Sequence, residues 1–282
     1  MKNILLPTDF SENSWNAIQY AICFFENLEC NFYVLHVSQG NRLAANDMPI
    51  ILKDEVIENL YIKPSKQRLR SVLKRISKLK LNRTNHKFYT LSEYGFFTES
   101  TRKSVEEKQI DFIVMGTKGA TGLEKIILGT NTADIITKVK CNTLVVPEKA
   151  SFVVPKEIAF PTEFSLSHNL QILQPIAESI ERFEASLRIV HISKSKTDLN
   201  KNQLMNKELL EDYFNPQPYT FHFLTNKKIE GAIQCFVESR AINMICMVAK
   251  NLNYFQQILF HSKVEEISYH TEVPFLVLHE KN

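Results

Sequence analysis

The chain has 282 residues, 44% of them hydrophobic and 23% charged, and a formal net charge of +3 at pH 7, which is typical of a globular protein with room for two domains. No apolar run approaches the roughly 18 to 20 residues that a membrane-spanning helix needs. The first strand signal begins within a few residues of the N-terminus and leaves no room for a signal peptide, so we expect a cytoplasmic protein without a membrane partner.

Five cysteines are present, an odd number, and none belongs to a C-x-x-C pair. Most have apolar neighbours in the sequence. We therefore expect buried reduced thiols rather than disulfides or a metal site. The five are Cys23, Cys30, Cys141, Cys235 and Cys246.

Strand and helix signals alternate through the first half of the chain. Helices are predicted from a cap at Ser11 or Asn13, over residues 47–80 with breaks at Pro49 and Pro64, and over 97–107. Such alternation requires crossover connections, which predicts an α/β fold with a parallel sheet and helices on both faces. Apolar runs predict its strands at residues 3–7, 32–37, 88–91, 112–115 and 143–146.

A glycine-punctuated loop follows the fourth strand. It holds four of the seven glycines, namely Gly116, Gly119, Gly122 and Gly129. Residues 130–132, Thr-Asn-Thr, have the pattern of an N-cap and first helical turn. A strand, a glycine loop and a helix N-terminus in this order form a phosphate-binding junction in parallel sheets. A turn that needs several positive φ angles would also explain the glycines.

The glycine spacing, G-x2-G-x9-G-T from Gly116 to Thr130, resembles the loop of the ATP-binding branch of the universal stress protein family. The segment Ile4–Ser11 independently resembles that family's first strand and the turn after it. The resemblance implies a Rossmann-like sheet with strand order 3-2-1-4-5. Its switch point lies between strands 1 and 4, where Asp9 and Gly116 emerge.

The second half of the chain repeats the first. Lys156–Ser165 tracks Lys2–Ser11 at an offset of 154, and Met244–Met247 tracks Phe112–Met115 at an offset of 132. This predicts two tandem open-twisted parallel five-stranded sheets, in domains 1–149 and 155–282. Resemblance to dimeric single-domain relatives implies an intramolecular pseudo-dimer along the two fifth strands, and further homo-dimerisation stays open.

The second copy has lost the glycine pattern. At the offset of 132, the four glycines are replaced by Val248, Asn251, Tyr254 and His261, and Glu163 stands in the place of Asp9. We therefore expect nucleotide in the first domain only. The second domain is then a structural partner for the first, or a site for some other small ligand.

In the first domain the resemblance implies a site for ATP, with or without Mg²⁺. Adenine would lie against Val37 and the Pro7–Thr8 turn, Asp9 would accept from the ribose hydroxyls, and the phosphates would lie on the glycine loop. Two residues of this implied site could have other roles. Lys118 can be a solvated loop lysine, and Asp9 can cap the first helix. The implied site residues are Pro7, Thr8, Asp9, Val37, Met115, Gly116, Lys118, Gly119, Gly129, Thr130, Asn131 and Thr132.

The sequence offers no group that would move protons or activate water. His36, at the end of an apolar strand, is interpreted as a core histidine, and no carboxylate pair, metal cluster or P-loop accompanies the glycines. We therefore predict no catalytic or metal-ligating residues and no enzyme activity. Slow hydrolysis of bound ATP stays open.

Charge is segregated within the first half. Residues 59–92 contain no Asp or Glu, and Lys66, Arg70, Lys74 and Lys78 recur every four residues along one predicted helical face. The stripe is either a solvated or internally paired face, or a surface for an acidic or polyanionic partner. Nucleic acid is disfavoured as that partner. The cations are Lys63, Lys66, Arg68, Arg70, Lys74, Arg75, Lys78, Lys80, Arg83 and Lys87.

Taken together, the resemblance implies a cytoplasmic ATP-binding regulator of the stress response that acts on an unknown protein partner. The alternative is a nucleotide-free interaction scaffold. In that case the basic stretch 63–87 would dock an acidic partner.

Overall fold

The structure is a computed structural model that describes residues 1–39, 53–79, 85–117, 130–165, 169–195, 198–249 and 272–280. The chain divides into two compact units, Met1–Met115 and Gly116–Asn282. This division differs from the predicted domains, 1–149 and 155–282, because residues 142–146 pair with the last strand of the chain and are counted with it. The domain bounds stay a prediction.

The first unit alternates strands and helices as the sequence predicts, and its strands extend slightly beyond the predicted runs. The helix predicted at 97–107 has those bounds. Its elements are β1 (Lys2–Pro7), α1 (Glu12–Phe24), β2 (Cys30–Ser38), α2 (Asp54–Ile57), a π-helical stretch (Glu58–Ile62), α3 (Lys63–Ser77), β3 (His86–Tyr94), α4 (Phe97–Glu107) and β4 (Phe112–Gly116).

The sheet of the first unit has the order β3-β2-β1-β4, and its strand pairs are all parallel. In β1, Leu5 lies between Tyr33 of β2 and Ile113 of β4. Connections on the two sides of β1 therefore leave in opposite directions. Beyond the carboxyl ends of β1 and β4 this reversal opens the crevice where parallel α/β proteins bind ligands.

Helix α3 is fastened to α1 by one arginine. Both terminal nitrogens of Arg75 donate to the Glu12 carboxylate, at 2.8 and 2.7 Å, and the guanidinium carbon lies 4.1 Å from the Trp15 ring centre. Leu69 and Ile76 complete the attachment, because they are buried on the inner face of α3. Arg75, one of the cations of the basic stretch, therefore has a partly structural role.

The break predicted at Pro64 does not interrupt the helix. The chain stays helical from Asp54 to Ser77, since Pro64 falls in the first turn of α3, where a missing amide hydrogen is tolerated, and the π-helical stretch precedes it. Pro49, the other predicted break, lies outside the described residues.

The second unit carries the last strand of the first repeat and the whole second repeat. Its strand order is β5-β10-β9-β6-β7-β8, so the five strands of the second repeat have the predicted order 3-2-1-4-5. Its elements are α5 (Thr130–Lys138), β5 (Asn142–Val146), β6 (Glu157–Pro161), a 3₁₀ turn (Leu170–Leu173), α6 (Gln174–Phe183), β7 (Ser186–Ser193), α7 (Lys201–Phe214), β8 (Tyr219–Thr225), α8 (Ile229–Ser239), β9 (Met244–Val248) and β10 (Phe275–Leu278).

The two fifth strands pair with each other, as the family resemblance implies. Strand β5 runs antiparallel to β10, and Leu144 lies opposite Leu276. Both strands are fully buried. Val145 and Val277 contribute to one apolar core with Ile136 of α5 and helix α8, so this pairing is also a packed layer.

The five cysteines are free, and three of them, Cys30, Cys141 and Cys246, are buried. Burial raises the pKa of the Cys246 thiol. The expectation of burial is wrong for Cys235, which is exposed because it lies off the α8 face that buries Ile233 and Phe236, and Cys23 is only partly buried. No helix in the described ranges has the length and apolar character needed to cross a bilayer.

The β5–β10 pairing predicts the behaviour of fragments. A fragment of residues 1–149 lacks β10, so the paired edge of β5 and its apolar side chains become exposed. We expect it to dimerise or aggregate, and to melt below the full chain. Light scattering over a range of concentrations is the measurement, with the full chain as control. A monomeric fragment that is as stable as the full chain would contradict the prediction.

Candidate functional site

The first strand ends in a hydrogen-bonded turn. Thr8 N donates to Leu35 O at 2.8 Å, which extends the β1–β2 ladder beyond Pro7. Thr8 O receives a hydrogen bond of 2.8 Å from His36 Nδ1, and Thr8 Oγ1 accepts from Phe10 N at 3.0 Å. The turn is therefore held at a fixed place beside the end of β2.

Phe10 has an unusual backbone conformation in this turn. Its φ is 67°, in the left-handed region that bulky residues avoid at a cost of roughly 1–2 kcal/mol. The ring is packed on His36, with 4.4 Å between ring centres, and the Arg68 guanidinium carbon lies 3.9 Å from the Phe10 ring centre. These contacts hold the strained residue in place.

Asp9 projects into solvent from the turn. Its Oδ1 accepts from Ser11 N at 3.0 Å and from Ser11 Oγ at 2.5 Å. Ser11 is the N-cap of α1, since its hydroxyl accepts from Ser14 N at 3.2 Å, so the alternative role of Asp9 as that cap is wrong. Partial burial raises the pKa of Asp9, but hydrogen bonds from Ser11 and Ser14 together outweigh it and leave the pKa below its usual value.

His36 is a structural part of the turn. A carbonyl oxygen can only accept, so Nδ1 carries the hydrogen that reaches Thr8 O. Burial lowers the pKa of His36, and the nearby Arg68 lowers it further, against the hydrogen bond to Thr8 and the Asp9 charge. The hydrogen bond agrees with the interpretation of His36 as a structural, satisfied histidine, but the ring is half-buried at the strand end and does not lie in the core.

The remaining implied residues of the first unit reach the same edge of its sheet. Val37 follows His36 near the end of β2, and Met115 is buried near the end of β4. Because parallel strands have their carboxyl ends at one edge, Pro7, Thr8, Asp9, Val37 and Met115 come together there.

The rest of the implied site belongs to the second unit. Gly116 ends β4, and its carbonyl accepts from Thr132 Oγ1 at 3.1 Å, which ties the first turn of α5 to that strand end. Thr130 and Asn131 begin α5 and are exposed, and no acidic residue occupies this turn. Lys118, Gly119 and Gly129 lie outside the described residues.

The second repeat reproduces the turn in its own first strand. Thr162 N donates to Val190 O at 2.8 Å, and Thr162 O accepts a hydrogen bond of 2.9 Å from His191 Nδ1. Phe164 has a φ of 54°, and its ring centre lies 5.0 Å from that of His191. The duplication seen in the sequence is thus a duplication of this strained geometry.

The surroundings of the two turns differ. Where Arg68 of α3 stacks on Phe10, α7 sends two amide side chains to the backbone of the second turn. Gln203 Nε2 donates to Glu163 O at 3.1 Å, and Asn206 Nδ2 donates to Phe164 O at 2.7 Å. Val248 ends β9 at the position equivalent to Gly116 in the first repeat. The residues equivalent to the other three glycines, 251, 254 and 261, lie outside the described ranges.

Within the described part of the chain, no group of three His, Cys, Asp or Glu side chains could hold a metal ion. The functional features that sequence reasoning missed are the left-handed Phe10 and the Arg68 stack. Only the repetition of Pro-Thr-acid-Phe-Ser in both halves signalled that the Phe position is special.

Two parallel α/β repeats, each with this turn at the switch point of its sheet, define a doubly wound Rossmann-like protein. The model of the Universal stress protein family matches residues 1–147. The chain belongs to that family.

Known proteins resemble the chain at two levels. Universal stress protein MJ0531 of Methanocaldococcus jannaschii is 30% identical over 145 residues, which are 51% of this chain and 81% of that protein. MJ0577 of the same organism is 28% identical over 157 residues, 53% of this chain and 97% of that protein. A universal stress protein structure from Archaeoglobus fulgidus covers 98% of this chain and 95% of its own, with a TM-score of 0.68 and 18% identity, so both repeats share that fold.

The Ser11 contacts predict a pH effect. Ser11→Ala removes the α1 cap, at about 1 kcal/mol, and the hydroxyl bond to Asp9 that lowers the pKa of that carboxyl, whereas the bond from the backbone amide of residue 11 remains. Because a lowered pKa adds stability above the unfolded value of 3.8 that is lost as pH falls through the folded value, the variant should be more destabilised at pH 7 than at acid pH. Denaturant unfolding at both pH values measures this. Ser11→Thr keeps the hydroxyl and serves as control, and equal losses at both pH values would contradict the prediction.

Proposed function

We propose that the first repeat binds one ATP, with or without Mg²⁺, and that the protein is a nucleotide-responsive regulator of the stress response in the cytoplasm. The observation that carries this proposal is the Asp9 carboxylate. It is exposed at the switch point of the sheet, with a pKa below its usual value, and is therefore ionised at neutral pH. A carboxylate there suits a ligand that presents hydroxyl donors, as a ribose does.

The groups around the strand ends suit an anion. Helix α5 begins with exposed Thr130 and Asn131, and its first turn contains no acid that would offset the positive end of the helix. In the first unit the Arg68 guanidinium, stacked on Phe10, has no carboxylate partner among the described residues. The intact glycine spacing between Gly116 and Gly129 supports phosphate contact.

Comparison of the repeats supports a single nucleotide. Both repeats have the turn, but Val248 puts a side chain where Gly116 offers bare backbone. The other three glycines of the loop are also replaced in the second repeat. In the proposed role ATP acts as a ligand that sets the state of the first repeat, and turnover is not its purpose.

The glycine assignment is tested by calorimetry of ATP binding to the full chain. We expect one site per chain, and its loss in Gly129→Val, because a β-branched side chain occupies phosphate space. His261→Val changes the matching position of the second repeat and should leave the affinity unchanged. Two equivalent sites, or unchanged affinity in Gly129→Val, would refute the assignment.

A matched pair of variants tests whether the Asp9 carboxylate binds the nucleotide. Asp9→Ala should weaken ATP binding by about tenfold or more, since a hydrogen bond to a charged group contributes about 1.5–3 kcal/mol. Glu163→Ala, at the equivalent position of the second repeat, should have no effect. If both variants bind ATP like the parent, Asp9 is not a ligand of the nucleotide.

A second candidate function is the docking of an acidic protein segment on α3, and comparison of equivalent helices favours it. Helix α3 carries six cations and no acid, whereas α7 of the second repeat carries two lysines and three acids. The equivalent position of the fold therefore does not require so basic a helix. Arg75 and Arg68 are engaged with α1 and Phe10, and Lys66 pairs with Glu58 at 3.2 Å.

The outer face of α3 remains available for such a partner. Arg70, Lys74 and Lys78 are exposed and have no acidic partner among the described residues. With Lys66 they recur at one-turn spacing, about 6 Å, which matches acids repeated every four residues on a partner helix. The stripe carries no aromatic side chain on which nucleic-acid bases could stack, so an acidic polypeptide fits it better.

Changing Lys66, Arg70, Lys74 and Lys78 to Gln tests the docking surface. Affinity for poly-L-glutamate at low salt should fall about tenfold, since four exposed pairs contribute about 0.3–0.5 kcal/mol each, and ATP binding should be unchanged. The control changes Lys103, Lys149, Lys201 and Lys227 to Gln, which alters net charge equally. Equal losses in both variants, or preferential loss of single-stranded DNA binding, would remove the acidic-polypeptide assignment.

A further inference from the structure

The second unit contains an open cleft of about 660 Å³ at the carboxyl ends of β7 and β8. Its volume lies within the range of small-molecule sites. The strands contribute His191, Ser193, Phe223 and Thr225, and helix α7 contributes Leu204 and Lys207. These residues belong to the repeat in which the glycine pattern is lost.

The wall of the cleft is apolar and exposed. Phe223 is 53% accessible and Leu204 is 46% accessible, although both are large hydrophobic residues at the ends of ordered elements. The Phe223 ring lies 6.1 Å from that of His191, edge to face. An aromatic corner beside a leucine offers a flat ligand both a stacking face and an apolar contact.

A second cleft, of about 290 Å³, continues the first. The two share His191, Ser193, Asp198 and Leu199, and the smaller one reaches Glu163 in the switch-point turn. The combined groove therefore has an aromatic wall in one part and two carboxylates along the rest.

The groups left for a ligand are mainly hydrogen-bond acceptors. Among the described residues, the carboxylates of Asp198 and Glu163 have no hydrogen-bond or ion-pair partner. His191 is only 9% accessible, and because its Nδ1 donates to Thr162 O, Nε2 is the ring atom left for the cleft, an acceptor in the neutral ring.

The donors along the groove are mostly engaged. Lys207 is paired with Glu211 and lies 4.5 Å from the Phe221 ring centre, and Gln203 Nε2 donates to the Glu163 carbonyl. Lys194 is exposed to solvent at the rim. A ligand that brings its own donors therefore fits better than an anion.

We propose that this groove binds a phosphate-free small molecule that combines a flat aromatic ring with an amine donor. The ring lies against Phe223 and Leu204, and the amine donates to the Asp198 carboxylate. His191 Nε2 and the Glu163 carboxylate are further acceptors. In the first repeat the Arg68 guanidinium packs on Phe10 of the turn. We therefore expect an anionic ligand to suit the first repeat and a cationic ligand to suit the second. The site is independent of the proposed ATP site.

Matched probes test the charge preference on the full chain. Tryptamine and indole-3-acetate share a ring but carry an ammonium and a carboxylate, respectively. We expect saturable binding of one tryptamine per chain by calorimetry, and at least tenfold weaker binding of indole-3-acetate. The proposal is overturned if the anion binds as well as the amine, or if tryptamine shows no saturable binding.

Variants locate the site. Asp198→Asn keeps the shape and should weaken tryptamine binding about tenfold, whereas Asp212→Asn, an equal charge change on an exposed part of α7 outside the groove, should not. Phe223→Ala should weaken binding, and Met205→Ala, an exposed residue of α7 that does not line the groove, should not. Circular dichroism and ATP affinity should be unchanged in all four. Loss of binding in the control variants as well would overturn the assignment.

Discussion

The turn after the first strand of each repeat is the constraint on which the candidate sites depend. A threonine amide extends the strand ladder, the threonine carbonyl is bonded by a histidine of the second strand, and a phenylalanine then takes a left-handed backbone angle. This reversal directs the acidic residue, Asp9 or Glu163, outward at the switch point of the sheet. Strain of this kind persists only where the surroundings over-determine it. Packing of each phenylalanine ring on its histidine supplies that support.

The two repeats share this turn and differ in what surrounds it. In the first repeat α3 presents Arg68 to Phe10 and is fastened by Arg75 to Glu12 and Trp15. In the second, amide side chains of α7 bond the backbone of the turn, and acids line the neighbouring groove. One backbone geometry therefore has a cation packed on it in one repeat and amide and acidic side chains beside it in the other.

Much of the fold could be predicted from the sequence, because buried parallel strands appear as short apolar runs and duplication doubles every signal. The helix at 97–107 is present as predicted, and the fifth strands pair as the resemblance implies, with an antiparallel direction that only the structure shows. The left-handed Phe10 could not be predicted, since its stability comes from His36 and Arg68, distant in sequence, and propensity assigns that angle to Gly or Asn. The Arg75–Glu12 pair, 63 positions apart, and the groove beside Phe223 likewise arise from tertiary packing. Of the twelve implied site residues, the structure brings Pro7, Thr8, Asp9, Val37 and Met115 to one sheet edge, where Gly116 ends β4. The glycine loop between β4 and α5 stays a prediction.

The β5–β10 pairing also determines when the sheet can be completed during synthesis. Val277 lies opposite Thr143, so the partner of β5 is translated 134 residues later. At ribosomal rates of about 5–20 residues per second, β5 waits roughly 7 to 27 seconds for it. During that interval a buried apolar strand has an open edge on the nascent chain. Until β10 emerges, that edge is open to pairing with another chain. A ribosomal pause between the repeats would lengthen its exposure.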